Sequence, residues 1–89
     1  MKASVELSLY PLRDDYKKRV VDFILRLRKS TTVKCITNGM STQLFGDYDD
    51  LINLLKVELK NELEQGHCIA NIKIGAGILA PDNLPVAIT

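Results

Sequence analysis

The sequence predicts a single small α+β domain with its elements in the order βαββαβ. Three observations carry that expectation. Ala3 to Tyr10 alternates apolar and polar side chains, the period-two signature of a strand with one buried face. Two later segments, near Tyr16 to Lys29 and Tyr48 to Leu63, space their apolar residues for helices instead. Between those segments, Asn38-Gly39 separates two β-rich runs, a strong signal for a two-residue hairpin.

Length and composition set the frame. A chain of 89 residues is of single-domain size and buries only about 60–65% of its unfolded surface, so self-association is a natural way to bury more. Apolar residues make up 46% and charged residues 26%, as in globular rather than disordered proteins. Twelve basic against 11 acidic side chains leave a formal charge of +1, which provides no electrostatic case for nucleic acid or an anionic membrane. Met1 to Glu6 lacks the apolar stretch of a signal peptide, and no apolar run reaches the length of a membrane span. The expected location is the cytoplasm.

In the first strand, Val5, Leu7 and Leu9 point one way; Ser4, Glu6, Ser8 and Tyr10 point the other. Pro11 closes it by removing a ladder donor. Asp14 or Asp15 is placed to cap the next helix, in which Tyr16, Val20, Phe23, Ile24 and Leu27 form one stripe ending near Lys29. Arg26, Arg28 and Lys29 complement the dipole at its end. Thr32 to Thr37 is the second strand, with Val33, Cys35 and Thr37 on one face and Lys34 and Ile36 on the other.

A type I′ turn at Asn38-Gly39 sets Thr37 opposite Met40. Met40, Thr42 and Leu44 then share the face of Cys35, while Ser41, Gln43 and Phe45 join Ile36. Gly46 is expected to break this third strand and Asp47 to cap the second helix. Its stripe is Tyr48, Leu51, Ile52, Leu55, Leu59 and Leu63, all expected in the core. Gly66 suits the turn beyond that helix. The fourth strand runs from about His67 to Ile74, with Cys68, Ala70, Ile72 and Ile74 on one face and Ile69, Asn71 and Lys73 on the other.

Right-handed crossovers place both helices on one side of a four-stranded antiparallel sheet in the order 4-1-3-2, the ferredoxin-like sandwich. Strands two and four are then opposite edges, roughly 14 Å apart. Cys35 and Cys68 therefore lie too far apart for a disulfide within one subunit and are read as buried free thiols. With one histidine, His67, and no CxxC pair, no metal site is expected. The expected organisation is a domain over residues 1–75 and an apolar C-terminal arm over 76–89. Ile78, Leu79, Leu84, Val86 and Ile88 suit an arm packed on its own sheet or on a partner subunit.

The face left open by the helices carries Glu6, Ser8, Tyr10, Ile36, Ser41, Gln43 and Phe45, with Asn38 at the hairpin corner. One carboxylate, hydroxyls, amides and two rings suit a flat polar heterocycle, and a cationic ligand gains from Glu6 and the aromatic faces. The same composition suits a subunit interface, and the two readings are compatible. Catalysis finds no support: no serine has a histidine near it, and Gly75-Ala76-Gly77 ends a strand with no helix after it. No catalytic residue and no cofactor are assigned.

Two stretches, Val5-Glu6-Leu7-Ser8-Leu9-Tyr10-Pro11-Leu12 and Thr37-Asn38-Gly39-Met40-Ser41-Thr42-Gln43-Leu44-Phe45-Gly46, resemble the paired motifs of the YkoF-type thiamin/hydroxymethylpyrimidine-binding family. The similarity spans about Val5 to Ile74. It implies a ferredoxin-like fold and non-covalent binding of thiamin or its pyrimidine precursor in vitamin uptake or salvage, without catalysis or metal. Carried over by position, the resemblance implicates Glu6, Ser8, Tyr10, Asn38, Met40, Ser41, Thr42 and Gln43. The face assignment favours Glu6, Ser8, Tyr10, Ser41 and Gln43 and turns Met40 and Thr42 inward. The family archetype carries two such domains in tandem; for this single domain, a homodimer or higher homo-oligomer is the expected equivalent. The alternative is an oligomeric regulatory or interaction module of the same fold with no small-molecule ligand.

Overall fold

The computed structural model describes residues 1–89. Its elements are β1 (Lys2–Pro11), α1 (Tyr16–Arg28), β2 (Lys34–Thr37), β3 (Thr42–Asp47), α2 (Tyr48–Leu63) and β4 (Cys68–Ala76), followed by a single 3₁₀ turn at Val86–Ile88. The antiparallel sheet has the order β2-β3-β1-β4, as expected for the ferredoxin-like sandwich.

The alternation of β1 governs the core. Ala3, Val5, Leu7 and Leu9 meet Phe23 and Leu27 of α1, Leu51 and Leu55 of α2, and Val33 and Leu44, in one apolar cluster. Burying each large side chain contributes roughly 1.5–3 kcal/mol, so the central strand and the two helix stripes carry most of the stability. The stripes are narrower than their sequence suggests: Tyr16, Tyr48 and Leu63 are exposed rather than core. Cys35 and Cys68 are free but only half-buried. They lie on β2 and β4, the two edges of the sheet.

The hairpin differs from the expected type I′ turn. Thr37 pairs with Thr42, not Met40, and neither Asn38 nor Gly39 has a positive φ. Asn38 closes a four-residue loop: its Oδ1 accepts from the amides of Met40 (2.8 Å) and Ser41 (3.1 Å), and its own amide donates to the Ser41 carbonyl (3.0 Å). Asparagine folds the chain here with a side-chain acceptor in place of a left-handed backbone. A register shift of two residues leaves every β3 side chain on its expected face. Met40, inside the longer loop, is the exception: it is 88% exposed rather than turned inward.

β2 begins at Lys34 rather than Thr32, and β3 continues through Gly46 to Asp47. A Cβ on Gly46 would stand 3.0 Å from the Thr32 carbonyl oxygen, so glycine allows the chain before β2 to pass closely there. Asp47 precedes α2 without capping it through its side chain. Its carboxylate pairs with Lys2 instead, at 3.2 Å.

A buried ionic cluster joins the helices. Glu62 of α2, with a side chain only 2% exposed, accepts from Arg19 at 2.6 Å and also from Arg26; Arg26 further pairs with Glu58 at 3.2 Å. Burial works against the charge on Arg26, but the hydrogen bond and charge of Glu62, with Glu58, outweigh it and raise its pKa.

After β4 the chain folds back over the open face of its own sheet. The Ser4 hydroxyl donates to the Gly77 carbonyl (2.7 Å) and accepts from the Leu79 amide (2.8 Å). Gly77 adopts φ +81° at this bend, a region glycine enters without Cβ strain. Ala80 is buried at the end of the crossing.

Candidate functional site

The register builds the open face in rows. Gln43 of β3 and Lys73 of β4 stand on either side of Glu6 of β1, and Ile36 of β2 lies beyond Gln43. One row along, Ser8 stands opposite Asn71; in the other direction Ser4 stands between Phe45 and Gly75. Glu6 is the hub: its Oε2 accepts from the Ser41 hydroxyl at 3.1 Å, and its Oε1 lies 3.6 Å from Lys73 Nζ. The carboxylate remains 44% exposed, so it is oriented by two neighbours yet open to a ligand.

Glu6, Ser8, Ser41 and Gln43 are thus brought together on the open face. Thr42 is not among them: it is buried toward the helices, 3.2 Å from the Thr37 hydroxyl. Asn38 uses its side-chain carbonyl to hold the loop, and Met40 stands out at the loop tip. The two rings do not converge. Phe45 is buried beside the returning chain near Ser4, whereas Tyr10 is exposed six residues further along β1, roughly 20 Å away at about 3.4 Å per residue. Lys73 and Asn71 were absent from the sequence-derived set, although the alternation of β4 and its place beside β1 assign both to this face.

One depression includes the hub, and a second lies further along β1, against the hairpin and α1. The first, of about 270 Å³, lies between Glu6, Gln43, Phe45, Lys73 and Leu79. The other, of about 160 Å³, is walled by Ser8, Tyr10 and the Asn38–Ser41 loop over the apolar side chains of Leu9, Phe23 and Ile24. Its origin is topological. β3 pairs with β1 only as far as Leu7–Thr42, so no β3 residue stands opposite Ser8 to Pro11. A short stretch of the central strand is therefore left as an internal edge beside the hairpin, supplying backbone polar groups in a concave corner.

No cluster of three or more histidine, cysteine or carboxylate side chains is placed to hold a metal. Cys68 is a poor nucleophile: burial, then the charge of Glu62, pushes its pKa up. No helix is long and apolar enough to cross a membrane.

A layered sheet-and-two-helix domain with a polar, carboxylate-centred open face is the class that this geometry defines. The chain belongs to the YKOF-related family, whose model matches residues 2–81. Among solved structures, a protein from Streptococcus pneumoniae is similar at 29% identity and TM-score 0.79, over 89% of this chain and 90% of that one. A hypothetical protein from Methanocaldococcus jannaschii is similar at 26% identity and TM-score 0.73, over 93% and 88%. A candidate thiamine biosynthesis/salvage protein from Thermotoga maritima shares the fold at 11% identity and TM-score 0.77, over 86% and 85%. No curated protein matches the sequence.

Proposed function

We propose that this protein binds thiamin or its hydroxymethylpyrimidine moiety without chemical conversion, in vitamin uptake or salvage, through the open face centred on Glu6. The observation that carries the reading is the half-exposed Glu6 carboxylate, oriented by Ser41 and Lys73 and flanked by Gln43. An aminopyrimidine presents an exocyclic amine as donor and ring nitrogens as acceptors. Glu6 accepts from the amine, and Gln43 and Lys73 donate to the nitrogens, while Ser41 keeps its proton on Glu6. The depression reaching Phe45 and Leu79 offers an apolar wall for the ring. In thiamin, the thiazolium cation competes with Lys73 for Glu6, so the same carboxylate serves both halves of the ligand. Family membership and the thiamine-related Thermotoga fold relative support this reading.

The site group is Glu6, Ser8, Tyr10, Ser41 and Gln43, with Lys73 added and Asn38 shaping the loop; Met40 and Thr42 serve the loop and the core. A homodimer or higher homo-oligomer is the proposed assembly, standing in for the tandem arrangement of the archetype.

Isothermal titration with thiamin and with hydroxymethylpyrimidine tests the reading. Binding by the natural protein is expected, with affinity lowered at least tenfold in the Glu6→Ala/Gln43→Ala variant, since each hydrogen bond to a charged group contributes about 1.5–3 kcal/mol. Absence of heat from both compounds, or unchanged affinity in the double variant, refutes it.

A further inference from the structure

Two apolar features of this chain lack a partner. The first is a groove of about 530 Å³ between α2 and the outer edge of the sheet, floored by Leu55, Leu59, Leu63, Ile72 and Ile74. Ile74 is 52% exposed although it points to the helix side of its strand, and Leu63 is 50% exposed. Beside the groove runs β4, a nine-residue strand with a neighbour, β1, on one side only. Its other side presents unpaired backbone donors and acceptors.

The second feature is the end of the chain. Leu84, Val86 and Ile88 alternate at period two, and Val86 and Ile88 are 91% and 67% exposed. The hydrogen bonds of Leu84 to Thr89 stay within that segment: Ile88 to Pro85, and Thr89 to Val86. One local 3₁₀ turn is all that opposes its extension.

We propose that the C-terminal arm, Leu84 to Thr89, of one copy adds as a strand to the β4 edge of a second copy and lays Leu84, Val86 and Ile88 into its α2–β4 groove. The period of the arm matches that of Ile72 and Ile74 on the strand it joins, so the apolar side chains of both fall on the helix side. Pro85 fits this arrangement. If Leu84, Val86 and Ile88 direct their amides at β4, Pro85, which has none, directs its nitrogen outward, where an edge strand needs no donor. Charge is also complementary. Asp82 is the only ionisable side chain between Gly77 and Thr89, and the groove rim carries Lys56 and Lys60, with Glu64 at its far end. An antiparallel arm brings Asp82 to the Lys56 end.

The occupant is a second copy because the arm of the same copy starts on the wrong side. It is tied down through Ser4 and the buried Ala80 on the open face, whereas the groove lies on the helix face. A two-fold axis makes the exchange reciprocal. The inference adds a surface to the proposed oligomer and does not depend on any ligand.

The test uses the full chain carrying Val86→Cys and Ile72→Cys, oxidised and mapped by peptide mass. A Val86–Ile72 crosslink between chains, with doubled mass on a reducing-free gel, is expected. A crosslink within one chain, or none at these positions, overturns the proposal. In parallel, light scattering on a chain ending at Pro81 is expected to give half the mass of the full chain with the same circular dichroism; unchanged oligomer mass overturns it. Thiamin titration on the shortened chain separates the two readings, because it reports on the Glu6 face alone.

Discussion

Replacing Glu62 by alanine tests how the two helices are held together. Its carboxylate is almost wholly excluded from water and accepts from both Arg19 and Arg26 through one oxygen. The guanidinium groups are themselves largely buried, with side chains 14% and 24% exposed, and Arg19 Nε already has no partner. Removing the anion leaves two desolvated cations facing each other, with Glu58 remaining on Arg26 and Asp22 at 4.0 Å from Arg19. Breaking a buried pair in this way costs about 3–5 kcal/mol. A domain of this length has roughly 5–13 kcal/mol in total, so the variant loses a large share of its stability. At roughly 4–8 °C per kcal/mol, a loss of about 3 kcal/mol lowers Tm by about 12–24 °C. Urea unfolding followed by circular dichroism measures it, with the slope of the transition checking that the unfolded state is unchanged. A loss below about 1 kcal/mol would refute the reasoning. Replacing Arg19, Arg26 and Glu62 together by apolar residues of similar volume is expected to restore most of the stability, since the cost lies in the uncompensated charge.

Two further outcomes follow from single groups. Ser4→Ala removes the hydroxyl that bonds both the Leu79 amide and the Gly77 carbonyl, at about 0.5–1.5 kcal/mol per hydrogen bond; limited proteolysis is expected to cut between Gly77 and Pro81 faster while residues 2–76 stay intact, and an unchanged rate contradicts the assignment. Cys68, whose pKa is raised from 9.0 by burial and then by Glu62, keeps its proton in the folded state to higher pH than in the unfolded chain. Its contribution to stability is therefore complete below the unfolded pKa and is lost as pH rises through the folded one. Alkylation of Cys68 by iodoacetamide at pH 8.5 is expected to run slower in the native protein than in urea, and equal rates would remove the basis for this.

The architecture was legible because β1, α1 and α2 each repeat their pattern over many residues, and period alone assigns their buried faces. The open face was legible for the same reason: Glu6, Ser8, Ser41 and Gln43 are placed by alternation. What escaped was decided by single contacts. Asn38-Gly39 reads as a two-residue turn in any strand pair, and only the side-chain bonds of Asn38 to Met40 and Ser41 lengthen it. Glu62 reads as a solvated helix residue, because its burial depends on arginines 36 and 43 positions away. Alternation puts Phe45 and Tyr10 on one face but not at one place: Phe45 lies opposite Ser4, six residues from Tyr10 along β1.

The four-residue loop has a consequence for how this family can diversify. Gln43 and Leu44 are each paired on both sides, with β1 and with β2, so a change of length between Asn38 and Ser41 is absorbed in the loop and leaves Gln43 on the open face as long as those pairings hold. Substitution there is equally free. Gly39 has a negative φ and open space where a Cβ would stand, and Met40 extends away from the fold. The mouth of the corner beside Ser8 and Tyr10 can therefore change its chemistry from one relative to another while the scaffold beneath it stays the same.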